Sequence, residues 1–148
     1  MSTKSSSLLS TNPRNWATVP LRLGAGGTLF AHGAQKLFGW FGGYGLHGTA
    51  GFFANVVHLH PGIFWAVLVG CGEFFGGLLL VFGLGTRYAA ITTTIIMAVA
   101  MWVLRHGGFF APMGIELPLA VFVSCVSLLI SGGGALSVDA GRSRPSAG

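Results

Sequence analysis

Long apolar stretches dominate this chain of 148 residues, and only 7% of its residues are charged. About a quarter of the residues of a soluble domain carry charge, so water is not the main solvent of this chain. The stretches predict membrane-spanning helices at residues 17–38, 63–84, 88–104 and 115–130. The last two are shorter than the roughly 20 residues that a span usually needs. We therefore expect an all-α integral membrane protein, a four-helix bundle formed by residues 16–131.

The two ends of the chain are more polar. Residues 1–15 are rich in serine and predict a disordered segment. Residues 132–148 start with three glycines and continue with serine and arginine, which predicts a flexible tail. A secretory signal with residues 23–31 as its apolar core is an alternative interpretation of the first stretch. The long apolar continuation to Trp40 favours a retained helix.

Positive charges fall mainly on one side of the predicted spans. That side carries Lys4, Arg14, Arg22, Arg87, Arg142 and Arg144. The other side carries Lys36 and Arg105. Cytoplasmic loops are enriched in lysine and arginine, so we expect both termini in the cytoplasm. The connection 39–62 and the loop 105–114 would then face outward.

Several classes of function lack a signal in this sequence. The net charge is +5, but the basic residues are scattered and form no stripe for nucleic acid. Nucleotide-binding glycine motifs are absent, and Cys71 and Cys125 have no spacing typical of zinc or of a redox pair. The spacing of His47, His58 and His60 is too nonspecific to predict a metal site. Haem with two axial histidines is also poorly supported, because only His32 lies securely within a span.

Glu73 is an ionisable residue near the middle of the second predicted span, roughly 15 Å deep. An unpaired charge at that depth costs at least a few kcal/mol. Gly76 and Gly77 follow on the same helical face, where small residues allow another helix to approach closely. We therefore expect the Glu73 side chain to point into the bundle.

The first span offers partners for this carboxylate, because His32, Gln35 and Lys36 form a polar stripe at helical spacing. Arg105 and Glu116 lie at the same outer level of the later spans. One interpretation is a structural network that holds the helices together. The other is a polar pocket, because ionisable groups inside membranes are functional candidates. Such a pocket could bind the carbonyl oxygens of a quinone, or a small anion such as thiosulfate.

Two segments resemble the DoxX family of small four-span membrane proteins. They are His32-Gly-Ala-Gln-Lys36-Leu-Phe-Gly39, which leads into Gly42-Gly43, and Glu73-Phe-Phe-Gly76-Gly77. With the segment around Glu116, the similarity covers about residues 20–138. The resemblance implies a multi-pass protein of the bacterial cytoplasmic membrane, similar to the DoxD subunit of thiosulfate:quinone oxidoreductase.

We therefore expect the membrane subunit of a redox system that handles quinone, a small sulfur substrate or an oxyanion. Glu73 and His32 are the expected catalytic residues. The expected substrate-binding residues are Gln35, Lys36, Arg105 and Glu116. Expected partners are the lipid bilayer, a soluble redox enzyme and further copies of this chain. The alternative is a noncatalytic anchor for soluble redox enzymes, and a small-solute carrier is less well supported because no inverted repeat is visible.

Overall fold

The protein is all-α over residues 11–110 and 114–142, which its computed structural model describes. The helices of these residues are α1 (Thr18–Phe38), α2 (Gly45–Asn55), α3 (Gly62–Phe82), α4 (Thr86–Leu104), α5 (Glu116–Ser131) and α6 (Val138–Arg142). A 3-10 turn, Trp40–Gly42, separates α1 from α2. The prediction of an all-α protein is confirmed. The long helices α1, α3, α4 and α5 begin and end within two residues of the predicted stretches.

Helices α3 and α4 are long and apolar enough to cross a membrane, with 21 and 19 residues, and α5 is a shorter apolar helix. Both long helices expose large apolar side chains. Those on α3 include Ile63, Phe64, Val67, Leu68, Phe75, Leu79 and Phe82, and those on α4 include Tyr88, Ile91, Ile95, Val99 and Trp102. Apolar surface on this scale is rare on a soluble monomer, so the fold is consistent with a helical membrane protein.

Close approach of α1 and α3 organises one side of the fold. The two helices run antiparallel, and Gly26 and Gly33 of α1 lie against Gly77 and Phe74 of α3. A Cβ atom added to Gly77 would lie only 2.5 Å from the Phe30 backbone nitrogen. Small residues at such a crossing let two backbones touch, which provides the van der Waals contact that holds helices together in lipid.

The remaining long helices complete a shared core. Helix α4 packs against α3 and α5, and α5 also packs against α1. Leu29, Leu80 and Leu128 are almost completely buried where these helices meet. The Thr93 hydroxyl donates to the Ala89 carbonyl and lies 3.2 Å from the Cys125 sulfur. Cys125 is therefore a buried packing residue between α4 and α5.

We name the two ends of the helix bundle by what covers them. At the α2 end, helix α2, which lies within the predicted connection 39–62, covers α1 and α3. The Thr49 hydroxyl donates to the Lys36 carbonyl at 3.3 Å, and the Ala50 carbonyl contacts Gly62. Three glycines in this short helix lower its intrinsic helix propensity, so its stability comes from packing.

At the opposite end, which we name the tail end, residues 132–142 pack against the bundle. The Asp139 carboxylate accepts hydrogen bonds from the Gly85 and Thr86 backbone N–H groups, at 2.8 and 2.9 Å. It also accepts one from the Thr86 hydroxyl at 2.9 Å. Asp139 thereby satisfies donors at the start of α4 that have no partner within the helix. Residues 132–142, which the sequence predicted as part of a flexible tail, thus pack against the bundle in this structure, and residues 143–148 lie outside the described range.

Arg22 and the N-terminal segment complete the tail end. The guanidinium of Arg22, which is only 2% exposed, donates to the Ala135 carbonyl at 2.8 Å and to the Val81 carbonyl at 3.1 Å. The Ala135 N–H donates to the Asn15 carbonyl, and the Gly134 N–H donates to the Thr11 hydroxyl. Residues 11–15 thus contact the tail, in contrast to the predicted disorder, whereas residues 1–10 lie outside the described range.

Candidate functional site

An ion pair joins α1 to α3 in the interior of the fold. The Lys36 ammonium nitrogen lies 2.6 Å from Oε2 of Glu73. The Glu73 side chain is 4% exposed and that of Lys36 is 28% exposed. The Glu73 carboxylate was predicted to face the bundle, with the polar stripe of the first span as its partner, and the structure confirms this contact. Over the described residues it is the only pair of opposite charges within 4.0 Å.

The position of this pair follows from the packing of α1 on α3. Glu73 lies in the middle of α3, about 16 Å along the helix from Gly62 at 1.5 Å per residue. Gly70, one turn before Glu73, contacts the Leu37 side chain and so lets α1 approach. This approach brings the Lys36 side chain within reach of the carboxylate. An apolar helix interior cannot solvate a lone carboxylate, so the ammonium group replaces the missing water.

His32 lies one helical turn before Lys36, on the same face of α1, and is half-buried. The imidazole has no hydrogen-bond partner among the described residues. Its ring nitrogens are therefore available to a ligand or to water, within about 6 Å of the Lys36 backbone along the helix.

Gln35 faces a different neighbour. Its side-chain amide donates to the Phe41 carbonyl at 3.3 Å, and its backbone contacts Gly43 closely enough that a Cβ atom there would clash. Gly39 ends α1 in the left-handed conformation with φ of 72°, which glycine adopts without strain. In this structure Gln35 therefore holds the turn that follows α1, and a direct role in ligand binding stays a prediction.

Arg105 does not join the ion pair. Its guanidinium lies over the Trp102 ring, 4.4 Å from the ring centroid, and donates to the Trp102 carbonyl. The expectation that Arg105 converges with Lys36 and Glu73 is thus wrong, because the side chain folds back onto the last turn of its own helix. Glu116 begins α5 and is partly buried, and its backbone N–H donates to the Phe109 carbonyl at 3.0 Å.

Four histidines, His47, His58, His60 and His106, lie outside the long helices. His47, His58 and His60 are exposed, and the described residues contain no group of three histidine, cysteine or carboxylate side chains that could hold a metal ion.

Aromatic side chains border the ion pair on the surface of α1 and α3. The Phe74 ring packs against Phe30 and Phe38 at centroid distances of 4.9 and 5.5 Å, and Phe38 contacts Trp40 at 5.1 Å. These aromatic residues were not among the predicted site residues. Their spacing in the sequence would not distinguish them from ordinary packing or lipid-facing residues.

The DoxX family model matches residues 17–107. The matched segment is more than half of the chain and contains His32, Gln35, Lys36, Glu73 and Arg105, but it ends before Glu116. An uncharacterised protein of Haemophilus influenzae is 38% identical over 78 residues, which are 51% of this chain and 50% of that protein. The chain thus spans about half the length of this curated relative. No solved structure matches the chain.

The family match covers α1 to α4 and both helices that form the ion pair. It confirms the resemblance inferred from the segments around His32 and Glu73. Together with the apolar helices, the match establishes that this chain belongs to the DoxX family of membrane proteins.

Proposed function

We propose that this protein is the membrane subunit of a redox system and binds a quinone, a small sulfur substrate or an oxyanion beside Lys36 and Glu73. The partly buried Lys36–Glu73 pair is the observation that carries this proposal. Removing two charges from water costs several kcal/mol per ion, and well-packed apolar residues often hold helices together equally well. An ion pair in the middle of an apolar helix therefore favours a chemical role over simple adhesion.

Each group has a distinct proposed role. The Lys36 ammonium has three N–H donors and keeps 28% of its side chain exposed while it contacts Glu73. The remaining donors suit a carbonyl oxygen or an oxyanion. The His32 imidazole can donate or accept a proton, and Glu73 can accept one when a ligand draws Lys36 away. A quinone would supply the redox chemistry, and these side chains would orient it and provide protons.

The other predicted site residues have supporting roles in this proposal. Gln35 positions the turn beside the ion pair through its contact with Phe41. Arg105, exposed at the α2 end, attracts anions toward the membrane surface. Glu116 remains a proposed ligand-binding residue at the start of α5.

We further propose four spans, α1, α3, α4 and α5, in a bacterial cytoplasmic membrane, with both termini in the cytoplasm. The Thr18 hydroxyl donates to the Gly133 carbonyl at 2.9 Å, so the start of α1 and the end of α5 lie at the same end of the bundle. Arg14, Arg22 and Arg142 also lie at this tail end. An excess of positive charge there supports a cytoplasmic orientation.

The proposed chemistry can be tested separately from the stability of the ion pair. Glu73→Gln, Lys36→Met and the double variant are reconstituted in proteoliposomes with quinone and thiosulfate. Quinone reduction is measured, and bound quinone is quantified by mass spectrometry. Each single variant leaves one group without its charged partner, and loss of one partner of a buried pair costs about 3 to 5 kcal/mol. We expect the double variant to regain thermal stability but not quinone binding or turnover.

A purely structural pair gives the opposite pattern. In that case the double variant regains stability and function together. Arg14→Gln serves as the control for loss of an exposed charge. Unchanged quinone binding in all three variants would refute a ligand role. The noncatalytic anchor would be favoured instead if a soluble enzyme co-purifies in a stoichiometric amount and if the double variant still binds this enzyme and sustains its activity.

A further inference from the structure

A groove of about 390 Å³ lies at the α2 end, away from the Lys36–Glu73 pair. The end of α2 and the residues after it form one wall, including Phe52 and Val57, and the last turn of α4 forms the other, including Trp102. We propose that this groove binds the phosphate headgroup of an anionic phospholipid. The proposal does not depend on the redox function, since it requires only that α4 lies in a bilayer.

The charge of the groove suits a phosphate. Arg105, His58 and His106 contribute basic or hydrogen-bonding groups, and none of the described residues that line the groove is acidic. The Arg105 guanidinium lies over the Trp102 ring at 4.4 Å, which restricts its orientation while the side chain stays exposed. Arginine offers five N–H donors in a planar arrangement that matches phosphate oxygens. One of them is used by the Trp102 carbonyl, which leaves other N–H donors for a ligand.

The surface next to the groove suits an acyl chain. Trp102 is 61% exposed and ends a row of exposed apolar residues along α4. The others, at spacings of three and four residues, are Tyr88, Ile91, Ile95 and Val99. Half of a hydrocarbon core is about 15 Å thick, or about ten helical residues, which is close to the distance from Trp102 to Ile91. A phospholipid with its headgroup at Arg105 would thus place its chain on this row.

A lipid fits these features better than a soluble anion or a soluble protein. Tryptophan at the end of an apolar helix is typical of the membrane interface, and an arginine at that level can bind the phosphate of a lipid headgroup. A free phosphate would use the cations but not Phe52, Val57 or the apolar row. The groove therefore selects for a ligand that has both an anionic head and an apolar tail.

The test uses the full chain, purified in a neutral detergent and stripped of lipid. Native mass spectrometry measures binding of phosphatidylglycerol and of phosphatidylcholine, with and without millimolar inorganic phosphate as competitor. We expect a preference for phosphatidylglycerol and a loss of about tenfold in its affinity in Arg105→Gln, as for one charged hydrogen bond. Arg105→Lys keeps the charge but not the planar donors, so its affinity for phosphatidylglycerol should lie between those of the unaltered chain and Arg105→Gln. Arg14→Gln, which removes an exposed charge at the tail end, should bind as the unaltered chain does.

A second variant tests whether the shape of the groove, and not only its charge, contributes to lipid binding. Val57→Phe narrows the groove without changing any charge, and we expect it to weaken phosphatidylglycerol binding. Thermal unfolding of each variant is recorded to check that it is folded. Equal binding of the two lipids, equal affinity in Arg105→Gln and Arg14→Gln, unchanged binding in Val57→Phe, or displacement of the lipid by inorganic phosphate would each overturn the proposal.

Discussion

The tail end of the bundle offers the sharpest test of the fold, because one side chain there makes three hydrogen bonds. Asp139 is 5% exposed and accepts from the Gly85 N–H, the Thr86 N–H and the Thr86 hydroxyl. It also attracts the buried guanidinium of Arg22. The change Asp139→Ala removes all of these interactions and leaves the two backbone donors at the start of α4 without a partner.

The cost of this change can be worked from those contacts. Loss of a side chain that caps a helix N-terminus costs about 1 to 2 kcal/mol. A second buried donor left without a partner adds about 1 to 2 kcal/mol. The sum is about 3 kcal/mol, which lowers the unfolding temperature of a chain of this size by about 6 to 12 °C. Asp139→Asn keeps one acceptor oxygen, so we expect about half of this loss.

The measurement is thermal unfolding of the purified protein in detergent. Val138→Ala is the matched control, because Val138 is the preceding residue and is 43% exposed. We expect that control to unfold within about 2 °C of the unaltered chain, as surface substitutions usually do. If Asp139→Ala unfolds at the same temperature as Val138→Ala, the tail does not hold the start of α4 and the packing described for residues 132–142 is wrong.

Two further predictions concern the close helix packing and the membrane orientation. Gly77→Ala places a Cβ atom 2.5 Å from the Phe30 nitrogen and should lower the free energy of unfolding by about 1 to 3 kcal/mol in a denaturation assay. The control Gly24→Ala, whose added Cβ atom meets no atom within 4 Å, should not lower it. Equal effects of the two changes would contradict the α1–α3 contact. In a chain otherwise free of cysteine, a membrane-impermeant maleimide should label Gly107→Cys in intact cells but not Arg142→Cys, and the reverse pattern would contradict the proposed orientation.

Local features of the sequence were sufficient to predict the long helices and the inward orientation of Glu73. An apolar stretch of helical length has few other ways to satisfy its backbone in a membrane. A carboxylate within such a stretch must face a partner, and Lys36 lies on the polar face of the neighbouring predicted helix. Both inferences depend on composition and on the helical period, which a single sequence displays directly.

Other features depend on contacts between distant segments. Helix α2 has too many glycines for a clear local signal, and its contacts with α1 and α3 stabilise it. Arg105 was expected beside the ion pair, but a flexible side chain at a helix end takes the nearest favourable partner, which is the Trp102 ring 4.4 Å away.

The sequence by itself determined where the chain forms long helices and which of their charges must be paired, because the cost of placing a charge in an apolar environment is a local property. Only the tertiary structure decided that the polar tail is part of the fold. Asp139 and Thr86 are 53 residues apart in the chain. No local pattern predicts that the Asp139 carboxylate will accept the hydrogen bonds of the unpaired N–H groups at the start of α4.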